Sequence, residues 1–149
     1  MSTFTKIICH IVFATKNAQL TLNGEDERKR LFRYMAGVIK KKGCYVHCIN
    51  GVENHIHILL SLHSSVNLAD LVKDLKLSSS KMMKEKWLFP HFKGWQDGYG
   101  AFSVSDEKLE YWINYIKEQE NYHIYHSFIE EYKELLKMHN IYFDDRYLY

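Results

Sequence analysis

The stretch ENHIHILL (residues 53–60) carries the clearest indication of the fold, because its histidines alternate with branched apolar residues. Successive side chains of a β-strand point to opposite faces, so His55 and His57 would share one face while Ile56 and Ile58 share the other. Two residues of rise separate the histidine Cα atoms by about 6.5 Å, which lets both imidazoles reach one metal ion. The stretch therefore predicts a strand with a buried apolar face and a candidate metal site.

The pattern on either side of this stretch predicts a split β-α-β sandwich. Runs of β-branched and aromatic residues indicate strands, and apolar residues at helical spacing indicate helices. Strands are expected at residues 5–15, 44–52, 55–62 and 101–104, and helices at residues 25–42, from 67, from 106 and around 128–136. The order predicts an α+β, ferredoxin-like fold with a four-to-five-stranded antiparallel sheet, helices on one face and a C-terminal helix that carries a tyrosine.

Length and composition are those of an ordinary globular protein. The chain has 149 residues, of which 46% are hydrophobic and 26% charged, and this predicts one domain over residues 1–149. The net charge of +2 is too small to indicate a nucleic-acid partner by itself. Cys9, Cys44 and Cys48 form no CxxC motif, and neither a signal peptide nor a long apolar span is visible. A cytoplasmic protein with reduced cysteines and no membrane segment is therefore expected.

The third predicted helix offers partners for the histidine pair. Tyr115 and Gln119 lie at i and i+4, so they would stack on one face of that helix. Two imidazoles and the Gln119 amide oxygen would leave several positions of a divalent ion open, and imidazole suits Mn²⁺ better than Mg²⁺. A closed zinc site is not indicated, because no cysteines stand at suitable spacing. The four residues suggest metal-assisted chemistry on a phosphate ester; the competing interpretation is ordinary core histidines and a tyrosine that packs at the helix edge.

The second predicted helix is basic. Its lysines include the candidate contacts to a nucleic-acid backbone, Lys73, Lys76, Lys81 and Lys84. A solvated helix face explains the same charges equally well. The glycine-rich and aromatic segment at residues 94–100 follows this helix, and its glycines would let the backbone approach a ligand or enter a strand through a bulge.

Four ordered motifs connect the chain with a known family. They are the opening HIVFATK (residues 10–16), the pair HIH (residues 55–57), the segment GYGAFSV (residues 98–104) and the helix YIKEQ (residues 115–119). In this order, and spread over nearly the whole chain, they resemble the single-tyrosine HUH (His-hydrophobic-His) transposases of the insertion sequence 200/605 type and their REP-associated relatives. One His-x-His motif alone is weak evidence, whereas the ordered set is strong.

The resemblance implies a specific chemistry. Tyr115 would attack a phosphodiester of single-stranded DNA, forming a 5′-phosphotyrosine link and freeing a 3′-hydroxyl. His55, His57 and Gln119 would hold a divalent ion, Mg²⁺ or Mn²⁺. Family members recognise imperfect DNA hairpins near the ends of mobile elements, and they work as homodimers in which the tyrosine helix of one subunit can complete the metal site of the other. The chain would thus be a transposase that cleaves and rejoins single-stranded DNA.

One departure from the family pattern and two rival functions accompany this interpretation. Many relatives carry an aspartate before the first histidine, whereas Asn54 can hydrogen-bond to an imidazole but adds no charge near the ion. A non-catalytic DNA-hairpin-binding regulator derived from such a transposase would keep the basic helix and the dimer and tolerate loss of Tyr115. A metal-dependent hydrolase of small phosphoesters would turn over without a trapped tyrosine adduct.

Overall fold

A four-stranded antiparallel sheet lies at the centre of the structure, a computed structural model that describes residues 1–148. Its strands are β1 (Ile8–Ala14), β2 (Tyr45–Gly51), β3 (His55–Ser61) and β4 (Gly100–Val104), in the spatial order β2-β3-β1-β4. Every neighbouring pair is antiparallel. This order and the intervening helices confirm the predicted α+β split β-α-β sandwich.

The helices are α1 (Glu25–Lys41), α2 (Leu68–Glu85), α3 (Leu109–Lys117), the single turn α4 (Gln119–Tyr122) and α5 (Phe128–Met138). Side chains satisfy free backbone N–H groups at two of their N-termini. The Asn67 side chain accepts from the Asp70 N–H at 3.1 Å and caps α2, whose start at residue 67 the sequence predicted. The Ser127 hydroxyl accepts from the Glu130 N–H at 3.2 Å and fixes the start of α5.

Helices cover both faces of the sheet, so the expectation of helices on one face needs correction. Helix α1 connects β1 with β2, and α2 connects β3 with β4. Both helices pack on the face that carries Ile56 and Ile58. Helices α3 and α5 pack on the opposite face, against Val12 and Leu59. The reason is visible in β1, which is buried along all seven residues and therefore presents apolar surface on both sides. The second face, which α3 and α5 cover, is the one that carries the histidine pair.

The third predicted helix is interrupted at a position that matters for the site. A 3₁₀ turn (Asp106–Lys108) precedes α3, which ends at Lys117, and Glu118 leaves helical geometry with φ −92° and ψ 16°. Tyr115 and Gln119 therefore stand on separate segments rather than on one continuous helix. The Tyr122 N–H donates to the Glu118 carbonyl at 2.9 Å, so the turn of α4 begins directly after the break.

The chain after α5 returns to the second face of the sheet. It contains a 3₁₀ turn at Asp145–Tyr147, and Leu148 is buried against the core there. The tail is thus irregular in its described part, and Tyr149 lies outside the described residues. Over residues 1–148, no helix has both the length and the apolar character that crossing a membrane requires.

Candidate metal and nucleophile site

The two histidines of β3 lie side by side on the sheet face that α3 and α5 cover. His55 and His57 are both fully buried, and they pair in register with Ala14 and Val12 of β1. Strand β3 is hydrogen-bonded on both edges, to β1 and to β2, so the backbone that carries the two imidazoles is held firmly. The predicted alternation is confirmed, because Ile56 packs in the core on the opposite face.

A buried carboxylate from α5 lies at the centre of the site. Glu131 is fully buried, and its Oε1 atom lies 3.2, 3.0 and 3.1 Å from the Nε2 atoms of His55, His57 and His123, respectively. Its other oxygen, Oε2, accepts a hydrogen bond from Gln119 Nε2 at 2.8 Å and one from the Tyr115 hydroxyl. We call these residues, without Tyr115, the Glu131 cluster: His55, His57, Gln119, His123 and Glu131.

The structure thus brings together all four residues of the predicted site, His55, His57, Tyr115 and Gln119. The Gln119 Oε1 atom, the predicted ligand atom, lies 3.2 Å from His55 Nε2 and 3.0 Å from His123 Nε2. The break at Glu118 does not separate Tyr115 from Gln119, because both side chains reach the same Glu131 oxygen.

Sequence reasoning missed two members of the cluster, His123 and Glu131. Glu131 carried a usable signal: it lies three residues after Phe128 and four before Leu135, and both of these residues are buried on α5. An acidic residue in an apolar helical stripe is expected to have a partner. His123 gave a weaker signal, four residues after Gln119 in a segment whose α4 turn the sequence did not predict.

The outward nitrogens of the imidazoles have their own partners. His55 Nδ1 lies 2.8 Å from Asn54 Oδ1, and Asn54 Nδ2 donates to the Ala18 carbonyl at 3.3 Å, which fixes the orientation of the amide. His123 Nδ1 lies 2.8 Å from the His126 carbonyl oxygen. Such partners fix which ring nitrogen carries the hydrogen and hold the ring orientation. Asn54 therefore supplies the hydrogen bond to His55 without adding charge.

His57 has an unusual outward partner, the fully buried His10 of β1. Its Nδ1 atom lies 2.8 Å from His10 Nε2, and the two rings are stacked with centroids 5.1 Å apart. Burial, followed by the nearby His57, lowers the pKa of His10 well below its usual value. His10 belongs to the opening motif at residues 10–16, so this motif contributes directly to the site.

Burial controls the protonation of the site. It lowers the pKa of His55 to about 4, so this imidazole is neutral at neutral pH and can bind a metal ion. Burial works against ionisation of Glu131, but its interactions with His57, His123 and His55 outweigh it and hold the pKa of Glu131 below its usual range. Burial and then the negative charge of Glu131 raise the pKa of Tyr115, so its phenol stays protonated.

The cluster has the donor set of a metal site. His55, His57, His123 and Glu131 each offer one ligand atom, and these four atoms lie within 4.8 Å of one another. Three imidazole nitrogens with one carboxylate oxygen suit a divalent transition metal ion. The residues present therefore fit the divalent ion that the sequence analysis expected.

The four candidate DNA-contacting lysines do not share one environment. Lys73, Lys81 and Lys84 are exposed on α2. Lys76 is partly buried, and its Nζ donates to the three carbonyls of residues 96–98 at 2.8, 3.3 and 2.8 Å. An ammonium group has three donors, so Lys76 is fully engaged in anchoring the glycine-rich segment. Helix α2 also packs on the sheet face opposite the Glu131 cluster.

The fold and the site together define the class of protein. The structure resembles a Deinococcus radiodurans protein described as a transposase, with a TM-score of 0.63, 23% identity, and coverage of 80% of this chain and 95% of that one. It also resembles a REP-associated tyrosine transposase solved with a REP hairpin, with a TM-score of 0.62, 12% identity, and coverage of 83% and 74%. At these identities the likeness shows a shared transposase fold.

The sequence identifies the family. The family described as "Transposase IS200 like" matches residues 3–119, most of the chain, and the protein belongs to this family. Comparison with curated protein sequences gave no match. The matched region ends at Gln119, so it contains the histidine pair and Tyr115, whereas His123 and Glu131 lie beyond it.

Proposed function

We propose that this transposase cleaves and rejoins single-stranded DNA through a 5′-phosphotyrosine intermediate, with Tyr115 as the nucleophile. The observation that carries the proposal is the meeting of the Tyr115 hydroxyl with His55 and His57 at one carboxylate within a single chain. A phenol next to a set of metal-ligand side chains is the arrangement that covalent, metal-assisted phosphoryl transfer requires.

The residues support a simple proton path. The Tyr115 oxygen forms a bond to phosphorus, the bond from phosphorus to the 3′-oxygen breaks, and the DNA keeps a 3′-hydroxyl end and a 5′-phosphate on the tyrosine. Glu131 Oε2 already accepts the hydrogen bond of the phenol, so it is placed to take the proton as the phosphorus–oxygen bond forms. The departing 3′-oxygen then takes up this proton, because the lowered pKa of Glu131 does not favour keeping it. Rejoining is the reverse reaction, in which a 3′-hydroxyl attacks the phosphotyrosine and Tyr115 recovers its proton.

His55, His57 and Gln119 are the residues that we propose to hold a divalent ion, Mg²⁺ or Mn²⁺. A bound ion supplies Lewis-acid polarisation of the scissile phosphate and neutralises its charge. The side chains of the cluster hold the phenol in place, because Gln119 and Tyr115 donate to the same Glu131 oxygen.

We propose DNA hairpins at element ends as the substrate. One structural neighbour was solved with a REP hairpin, which supports a hairpin for this chain as well. The exposed lysines of α2, Lys73, Lys81 and Lys84, are candidates for phosphate contacts, whereas Lys76, the fourth predicted contact, uses its donors to anchor residues 96–98. A homodimer, a cytoplasmic location and a single transposase domain over residues 1–149 remain predictions.

The direct test is adduct formation on a hairpin-bearing single strand. Wild-type protein with Mn²⁺ should form a covalent protein–DNA adduct that survives denaturing electrophoresis, and Tyr115→Phe should form none. Tyr111→Phe is the matched control, because Tyr111 lies one turn earlier on α3 with 57% of its surface exposed. Adduct of wild-type yield from Tyr115→Phe would refute the assignment of the nucleophile.

The same assay separates the rival functions. His57→Ala should abolish the adduct and leave the protein folded. A hairpin-binding regulator would bind the strand with the same affinity in wild type and Tyr115→Phe and would give no adduct at any metal concentration. Adduct-free turnover of a small phosphoester would instead favour a hydrolase.

A further inference from the structure

We infer that His123 and Glu131 are ligands of the divalent cation, and that Glu131 also holds Tyr115 beside it. The metal centre of this protein would then comprise three imidazoles and a carboxylate, together with the Gln119 side-chain oxygen, all from one chain. This inference deepens the proposed function, on which it rests for the role of the ion, but the ligand set itself can be tested without DNA.

The first argument is the tautomers of two imidazoles. The outward Nδ1 atoms of His55 and His123 face oxygen atoms that only accept hydrogen bonds, from the Asn54 side chain and the His126 backbone. Each Nδ1 atom therefore carries a hydrogen, and in the neutral ring the lone pair is on Nε2. Both Nε2 atoms lie against the Glu131 and Gln119 side-chain oxygens. Lone pairs that face one another in a buried site repel, and a cation between them removes this repulsion.

The second argument is the count of partners around one atom. Glu131 Oε1 lies within 3.2 Å of three imidazole nitrogens, and a carboxylate oxygen has two lone pairs to offer. Hydrogen bonds cannot satisfy all three nitrogens at that oxygen. A single dication accepts lone pairs from the carboxylate and from every imidazole, so it satisfies the whole group at once.

The third argument is fit. Ligand atoms about 2.2 Å from an octahedral ion are about 3.1 Å apart at neighbouring positions, and the contacts of Glu131 Oε1 with the imidazoles are 3.0–3.2 Å. Small outward movements of the side chains are enough to admit an ion. His123 is the one imidazole of the group with exposed side-chain surface, 10%, so it marks the route from solvent.

The two oxygens of Glu131 have different tasks. Oε1 faces the imidazoles, whereas Oε2 accepts from Tyr115 and from Gln119. A carboxylate that contacts the ion through one oxygen and the phenol through the other fixes the distance between them. Gln119 Nε2 holds this carboxylate in orientation, while Gln119 Oε1 faces the Nε2 atoms of His55 and His123.

Three imidazoles and one carboxylate also predict which ion is preferred. Mg²⁺ requires oxygen ligands in octahedral geometry, whereas imidazole suits Mn²⁺, Co²⁺ and Zn²⁺. We therefore expect the protein to bind Mn²⁺ and Co²⁺ more tightly than Mg²⁺, by about tenfold or more.

Metal binding without DNA tests the ligand set. Mn²⁺ affinity, measured from the electron paramagnetic resonance signal of the free ion, should fall by about 100-fold or more in Glu131→Gln, and strongly in His123→Ala. Glu130→Gln and His126→Ala are matched controls, because these neighbours have 61% and 47% of their side-chain surface exposed; both should bind as wild type does. Wild-type affinity in Glu131→Gln and His123→Ala would overturn the inference.

Spectroscopy of the wild-type protein keeps the test valid even if a variant fails to fold. Electron spin echo modulation of bound Mn²⁺ should show three coupled imidazole nitrogens, and only two would contradict the three-imidazole ligand set. The outcomes also separate the two proposals. A Tyr115 adduct with only two coupled imidazoles contradicts the inference and leaves the function standing, whereas three imidazoles without any adduct contradict the function and leave the metal centre.

Discussion

Replacing Lys76 with methionine is expected to destabilise the fold far more than replacing the neighbouring lysines. The three donors of its ammonium group bond to the carbonyls of residues 96–98, and burial lowers the pKa of Lys76. Hydrogen bonds from a charged donor contribute about 1.5–3 kcal/mol each when buried. Asp97 and Gly98 are exposed, so water can replace two of the three partners in the variant. We therefore expect a loss of about 2 kcal/mol in the free energy of unfolding, or a fall of about 4–8 °C in Tm.

Urea denaturation would measure the loss of stability, and a salt titration of DNA binding would show whether Lys76 also contacts a phosphate. Lys73→Met is the matched control on the same helix, because Lys73 is exposed and should change stability by less than about 0.5 kcal/mol. If Lys73 contacts phosphate, its loss lowers DNA affinity and reduces the salt slope by about one unit, whereas Lys76→Met leaves the slope unchanged. A Lys76→Met protein with wild-type stability and a shallower salt slope would refute the anchoring role.

Three further predictions concern the site. Asn54→Ala removes the hydrogen bond to His55 Nδ1, so Mn²⁺ binding measured by calorimetry should weaken by about 10–100-fold with little change in stability. An unchanged Mn²⁺ affinity would mean that Asn54 does not orient the His55 ring. Without metal, the free energy of unfolding should fall as the pH drops from about 6.5 to 4, because the His55 side chain gains a proton in the unfolded state but, with its pKa of about 4, stays neutral in the folded state. His55→Gln should flatten this part of the pH profile, and an unchanged slope would contradict the assignment to His55. Because Tyr115 lies in the site of its own chain, a mixture of Tyr115→Phe and His57→Ala proteins should give no adduct, and recovered adduct would demonstrate exchange of the tyrosine helix between subunits.

The sequence was most informative where a pattern lies within one element. The alternation in residues 53–60 predicted β3 and the face that its histidines occupy, and Asn67 predicted the start of α2. Alternation and capping are local, because they depend on backbone periodicity and on N–H groups within a single turn.

The sequence was less informative where one residue has several possible partners. Lys76 and Lys73 are both lysines on the same helix, and only the structure shows that Lys76 bonds to the carbonyls of residues 96–98. Likewise, helical spacing alone did not reveal that Glu118 leaves the helix between Tyr115 and Gln119.

By itself, the sequence determined the sheet, the shared face of His55 and His57, and the membership of the chain in a transposase family. Only the tertiary structure decided that Glu131 stands between those histidines and Tyr115, 74 positions from His57 along the chain. The physical reason is that periodicity specifies the face on which a side chain lies, whereas the meeting of two faces depends on how α5 packs across the sheet. That packing follows from the apolar surface of the whole second face, and no single motif encodes it.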